Sequence, residues 1–110
     1  MLLDEIGQER VGQISSLFGL LGEPNRLRIV LACLAGPRGV GEIASDAGLS
    51  QSLASHHLRL LRHARLLRSE RAGKSVLYEI DDAHVAEVVR MMVAHVCEPH
   101  AHHHEPQIAD

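Results

Sequence analysis

The stretch from Val40 to Leu61 restricts the possible folds more than any other part of the chain. A short run, Val40 to Ala47, stops at Gly48, and Ser50 stands directly before a second run with helical periodicity to about Ala64. Glycine ends helices because it accepts a left-handed turn without penalty. Serine starts them because its hydroxyl accepts an N–H that the first turn leaves unpaired. Two helices separated only by Gly48-Leu49-Ser50 must turn sharply against each other, and Ala44 and Gly48 are small where they would cross. This is the pattern of a helix-turn-helix. In the second helix Leu53, Ala54, Leu58 and Leu61 form the expected inward stripe, while Gln51, Ser52, Ser55, His56, Arg59 and Arg62 fall largely on the other side.

The flanking segments complete a small domain. Ile6, Val11, Ile14, Leu17, Phe18 and Leu21 recur at helical spacing and predict one amphipathic helix over residues 4–21. Gly22-Glu23-Pro24-Asn25 interrupts it, and Asn25 is the expected cap of a helix from Arg26 to Ala35, apolar along Leu27, Ile29, Val30, Leu31 and Leu34. Beyond the helix-turn-helix, Leu67 to Arg71 and Ser75 to Ile80 alternate and are joined by Ala72-Gly73-Lys74, which predicts a hairpin with a cation at its tip. Asp81 or Asp82 caps a last helix to about Cys97, and Pro99 stops it. The expected fold is mainly α (α+β), a winged helix-turn-helix with about five helices and a two-stranded wing over residues 1–97, with a His-rich tail, 98–110, expected to be flexible. One Phe, one Tyr and no Trp leave an aliphatic core, and a domain of 110 residues commonly completes such a core by dimerising. No run of 18 apolar residues occurs, and Met1-Leu2-Leu3-Asp4-Glu5 lacks a basic start, so neither a membrane span nor a signal peptide is expected. Cys33 and Cys97 are too few to make a disulfide scaffold, and the expected location is cytoplasmic.

Net charge is −3, which taken alone argues against a polyanionic partner. Its distribution argues the reverse. Between Ser50 and Lys74, Arg59, Arg62, Arg65, Arg68, Arg71 and Lys74 are opposed only by Glu70, a local +5. From Glu79 to Asp110, seven acids face one arginine, a local −6. One small body would thus present an anion-binding and a cation-binding surface. On the first, Ser50, Gln51, Ser52, Ser55, His56, Arg59 and Arg62 would meet a DNA major groove, with the arginines and Lys74 on phosphates.

The acidic end carries the second chemistry. Asp82, His84, His95 and Glu98 offer nitrogen and carboxylate donors suited to zinc, cobalt or nickel. His84 and His95 are eleven residues apart, so they share a helix face but lie about 16 Å apart along its axis, while zinc–nitrogen bonds need about 2.0–2.1 Å. A single helix cannot close the site. An antiparallel copy of the helix can, giving two identical four-ligand sites across a two-fold interface. The stripe Val85, Val88, Val89, Met92, Val93 and Val96 is what such a homodimer would bury. Four closed ligands describe a binding site, with no spare acid or base for an enzyme.

At this point the chain resembles the ArsR/SmtB family of bacterial metal-sensing repressors. The matching segments are Leu21-Gly22-Glu23-Pro24-Asn25-Arg26-Leu27-Arg28-Ile29, Leu49-Ser50-Gln51-Ser52-Leu53-Ala54-Ser55-His56-His57-Leu58 and Arg71-Ala72-Gly73-Lys74-Ser75-Val76-Leu77-Tyr78. The family's last-helix motif, Asp-x-His, ten residues, His, two residues, then Glu or His, is matched by Asp82, His84, His95 and Glu98. The resemblance implies a dimer whose metal-free form holds operator DNA and whose metal-bound form releases it. It also implies that His95 hydrogen-bonds towards the region of Arg65. The family's cysteine pair is absent from Glu42-Ile43-Ala44-Ser45-Asp46, which argues against arsenite, cadmium or lead.

Two competing readings stand beside this one. Cys33 and Cys97 lie on helices where some relatives carry an oxidant- or sulfide-sensing thiol pair, although a buried thiol on an apolar helix is the preferred account of Cys33. Cys97, His100, His102, His103 and His104 could serve as accessory ligands, favouring nickel or cobalt, or could capture metal as a storage or chaperone protein does.

Overall fold

The computed structural model describes residues 1–99. The expectations for a flexible tail and for accessory ligands at His100, His102, His103 and His104 therefore fall largely outside the described residues. The chain runs α1 (Leu2–Ile6), α2 (Gln8–Leu21), α3 (Pro24–Ala32), β1 (Arg38–Gly39), α4 (Val40–Ala47), α5 (Gln51–His63), β2 (Leu67–Ala72), β3 (Ser75–Ile80) and α6 (Ala83–Cys97). It is a winged helix-turn-helix, mostly helical with a small antiparallel sheet.

The turn between α4 and α5 forms as its residues dictate. Gly48 adopts the left-handed conformation (φ 70°, ψ 34°), its N–H bonds to Ser45 O at 3.2 Å, and the Leu49 N–H bonds to Ala44 O at 2.9 Å. That is a Schellman closure, which satisfies carbonyls the helix end would otherwise leave open. Ser50 Oγ then accepts the Leu53 N–H at 3.1 Å to start α5.

Four expectations are corrected. The helix expected over residues 4–21 is two helices, because Gly7 (φ 81°, ψ 160°) takes a conformation that interrupts the helix while the apolar spacing continues across it. The α3 cap is Glu23, whose Oε1 accepts the Arg26 N–H at 2.8 Å, with Pro24 at the first helical position. Asn25 instead accepts from Arg28 Nη1 at 2.7 Å. The sheet has three strands in the order β1-β3-β2, since Arg38 and Gly39 pair with Tyr78 and Leu77. Leu53 is 40 % exposed rather than inward, and His57 is buried with Ala54, Leu58 and Leu61.

The core is aliphatic, as the composition requires. Ile29 and Val30 of α3, Ile43 of α4, Leu58 and Leu61 of α5, Leu66 ahead of the wing and Leu67 at its start are buried together. From α6 only Val89 is fully buried. The last helix is tied further to the body by Arg90 Nη2, which donates to Leu34 O at 2.9 Å. Most of its apolar face is left uncovered.

Candidate functional site

The side chains expected to read DNA do form one surface. A helical turn of 3.6 residues places Gln51, Ser52, Ser55, His56, Arg59 and Arg62 within an arc of about 140° on α5. Gln51, Ser52, His56, Arg59 and Arg62 are exposed, Ser55 is half-buried, and Ser50 sits exposed at the cap. Gly41 of α4 lies beside the amide of Gln51, where a Cβ would make an ordinary 3.4 Å contact with its Nε2. Leu53 and Leu60 flank the polar arc and are about two-fifths exposed.

The wing packs against α5 through β2. Leu67 to Ala72 pairs antiparallel with Ser75 to Ile80, leaving Gly73 and Lys74 as a two-residue turn with φ 64° at Gly73. Glycine at the first central position suits the twist of a tight hairpin. Lys74 and Arg71 are exposed. Arg59, Arg62, Arg65, Arg71 and Lys74 make no ion pair among the described residues. Arg68 differs: its Nη2 pairs with Glu79 and its Nη1 donates to Asp81 O at 2.9 Å. Five cations of the six are therefore open to a polyanion.

The last helix carries two donor pairs at opposite ends. Asp82 is its N-cap, accepting the Val85 N–H on Oδ1 at 2.9 Å. The same Oδ1 is 3.9 Å from His84 Nδ1, with the two side chains 51 % and 92 % exposed. His95 and Glu98 lie exposed around the C-terminal turn. Among the described residues no group of three or more His, Cys, Asp and Glu converges on one point. Carboxylate and imidazole are side-chain types that first-row divalent metals accept as ligands.

Between α2, α3 and α6 runs an apolar groove of about 560 Å³, with Phe18, Leu27, Leu31, Met92, Val93 and Val96 among its walls. Phe18, Met92 and Val96 are each more than half exposed. Of the apolar residues of α3, Leu27 and Leu31 face this groove, while Ile29 and Val30 are fully buried.

The two thiols are placed far apart in character. Cys33 is 1 % exposed, and burial pushes its pKa up to about 11 against a smaller lowering by Arg38. A reactive thiol needs the opposite shift. Cys97 is exposed.

Sequence reasoning passed over His57. Its ring is 8 % exposed, its Nδ1 has no hydrogen-bond partner among the described residues, and it sits 5.7 Å from the His56 ring. The signal was present in its spacing, since His57 precedes Leu58 and Leu61 on the inward side of α5.

Comparison with known proteins agrees with this architecture. Residues 23–69 match the model of the bacterial regulatory protein arsR family. The HTH-type transcriptional regulator NmtR of Mycobacterium tuberculosis is 34 % identical over 90 residues, covering 82 % of this chain and 75 % of that one. The transcriptional repressor SmtB homolog of Synechocystis is 33 % identical, covering 82 % and 68 %. A cadmium resistance regulatory protein, the CadC homolog of Staphylococcus aureus, is 29 % identical, covering 83 % and 76 %. Among solved structures, the homodimeric winged helix-turn-helix DNA-binding domain Mb0332 of Mycobacterium bovis superposes with a TM-score of 0.74 at 28 % identity, covering 86 % of this chain and 90 % of that one. With an exposed recognition helix, a cationic wing and these relatives, the chain belongs to the ArsR family of winged-helix DNA-binding transcriptional regulators and is not an enzyme.

Proposed function

We propose that this protein is a metal-responsive repressor that holds operator DNA as a metal-free homodimer and releases it when zinc, nickel or cobalt binds. Each of two sites would take Asp82 and His84 from one protomer with His95 and Glu98 of the partner subunit. The observation that carries this reading is the arrangement of α6: two incomplete donor pairs at opposite ends of a helix whose apolar face is uncovered. A two-fold copy laid antiparallel along that face satisfies both deficits at once, burying the groove and completing the ligand sets.

On DNA, Gln51, Ser52, Ser55 and His56 would meet base edges while Arg59, Arg62 and Lys74 neutralise phosphates. When bound, the metal supplies a link between subunits that fixes their relative orientation. Spacing between the two recognition helices follows from that orientation, and half-sites on DNA tolerate only one spacing. Linkage then requires DNA to weaken metal binding by the same factor that metal weakens DNA binding.

The test is a titration of a duplex, selected by the metal-free protein from a random-sequence pool, against zinc, nickel and cobalt. Release is expected with at least one of them, and His84→Ala should abolish release while leaving metal-free affinity intact. A wild-type protein that holds the duplex equally well with every metal would overturn the reading.

A further inference from the structure

Asp81 is clamped on both of its backbone polar groups. Its N–H donates to Leu66 O at 3.1 Å, and its carbonyl accepts from Arg68 Nη1 at 2.9 Å. The second arm of the Arg68 guanidinium pairs with Glu79, which faces Arg68 across the hairpin register. All the anchors therefore belong to the segment that joins the recognition helix to the wing or to its paired strand. Leu66 follows Arg65 directly, and its own N–H closes the end of α5 on Leu61 O at 3.0 Å. Leu66 and Leu67 are 3 % and 1 % exposed, so this segment is locked in the core.

Asp82, the next residue, caps α6 through its carboxylate. A metal that takes Oδ1, the oxygen on the side of His84, competes with the cap bond to the Val85 N–H and displaces residue 82. A free linker would absorb the shift within a residue or two. Here the preceding peptide is held by Leu66, which is buried, and by Arg68, whose guanidinium bridges Asp81 and Glu79 at the surface, so the shift passes to Leu66 and the packed core behind it.

We propose that Arg68 is a positioning residue that transmits ligation at Asp82 and His84 to the end of the recognition helix. The inference rests on the metal-sensing reading above and adds a route within one protomer, starting from the N-terminal donor pair. Arg68 does this as a mechanical tie, not as a DNA contact, because its guanidinium is occupied by Glu79 and Asp81.

The experiment compares the wild-type dimer with Arg68→Met, Arg68→Lys and Glu79→Gln. Three quantities are read: zinc affinity by chelator competition, affinity for the pool-selected duplex with and without zinc, and the salt dependence of metal-free binding. Arg68→Met should keep zinc affinity and metal-free DNA affinity within about twofold. The ratio of DNA affinities without and with zinc should fall about fivefold or more, a change of the size usual for coupling between sites. Arg68→Lys, which keeps one donor for the Asp81 carbonyl, should recover part of the ratio, and Glu79→Gln should lie between. A merely structural role would lower thermal stability and metal-free binding without changing the ratio. An unchanged ratio in Arg68→Met, or a reduced salt dependence marking a phosphate contact, would overturn the inference while leaving the sensor intact. A wild-type protein indifferent to zinc, nickel and cobalt would remove both together.

Discussion

Among the described residues, Arg65 is the one non-glycine residue with positive φ, at 61°. It stands where α5 ends, and its N–H bonds to Arg62 O at 3.0 Å while Leu66 closes on Leu61. The geometry matches the Gly48 closure of α4, but with a β-carbon that makes the left-handed region cost about 1–2 kcal/mol. Arg65→Gly should therefore raise stability by about 0.5–1 kcal/mol, part of the gain being offset by the greater freedom of glycine in the unfolded chain. Denaturant unfolding of the two proteins measures it, and a lower midpoint for the glycine variant would show that the arginine side chain compensates its own strain. His57 gives a second prediction at this scale. Burial holds its pKa below the ordinary 6.5, with Glu23 opposing the shift and Arg26 and His56 adding to it. As pH falls, the unfolded chain takes up this proton near 6.5 while the folded chain takes it up only at lower pH. Stability from this residue is thus fully present above about pH 6.5 and declines as the pH drops below it. His57→Leu should show a smaller loss of melting temperature between pH 7.5 and 5.5 than the wild type. Equal losses in both proteins would clear His57 of that role.

At the scale of elements, α5 and the wing divide their cations by pairing. Arg59 and Lys74 are exposed and make no ion pair among the described residues, while Arg68 is held by Glu79 and Asp81. Each phosphate contact removed should reduce the slope of log affinity against log salt by about 0.9. Arg59→Ala and Lys74→Ala are expected to do so for the duplex selected from the random pool, and a slope identical to wild type for either would take that residue off the phosphate backbone. The same elements show what the sequence disclosed and what it concealed. Gly48, Ser50 and the α5 periodicity were legible because caps and turns are local chemistry. The placing of Asp82 and His84 at the start of α6 and of His95 and Glu98 at its end was legible for the same reason. The break at Gly7 was hidden because apolar spacing ran straight across it, although glycine inside a helical run was a warning. Pro24 at the first helical position should have moved the α3 cap back to Glu23. Two residues of β1 carry no periodicity of their own and exist only because Tyr78 and Leu77 offer an open strand edge. The Arg68–Asp81 tie spans thirteen residues and depends on the register of the hairpin, which no short pattern specifies.

At the scale of the whole molecule, the question is whether one protomer or two build each metal site. Isolated α6 presents Asp82 and His84 at one end and His95 and Glu98 at the other, about 16 Å apart along the axis for the two histidines. A two-fold arrangement makes an unusual demand on mixed dimers. His84→Ala homodimers and His95→Ala homodimers each have both sites damaged. A dimer of one His84→Ala and one His95→Ala subunit has one site lacking both histidines and one site with its full set. Metal binding should therefore reappear when the two defective proteins are mixed and allowed to exchange subunits. With random exchange, half of the dimers are mixed and half of their sites are intact, so roughly a quarter of the wild-type stoichiometry should return. Chelator competition on the mixture measures it directly. Sites made within one protomer give a different result, because mixing can restore nothing that neither subunit possesses. Binding in the mixture equal to the mean of the two separate variants would place the ligands on a single chain and leave the uncovered face of α6 to serve dimerisation alone.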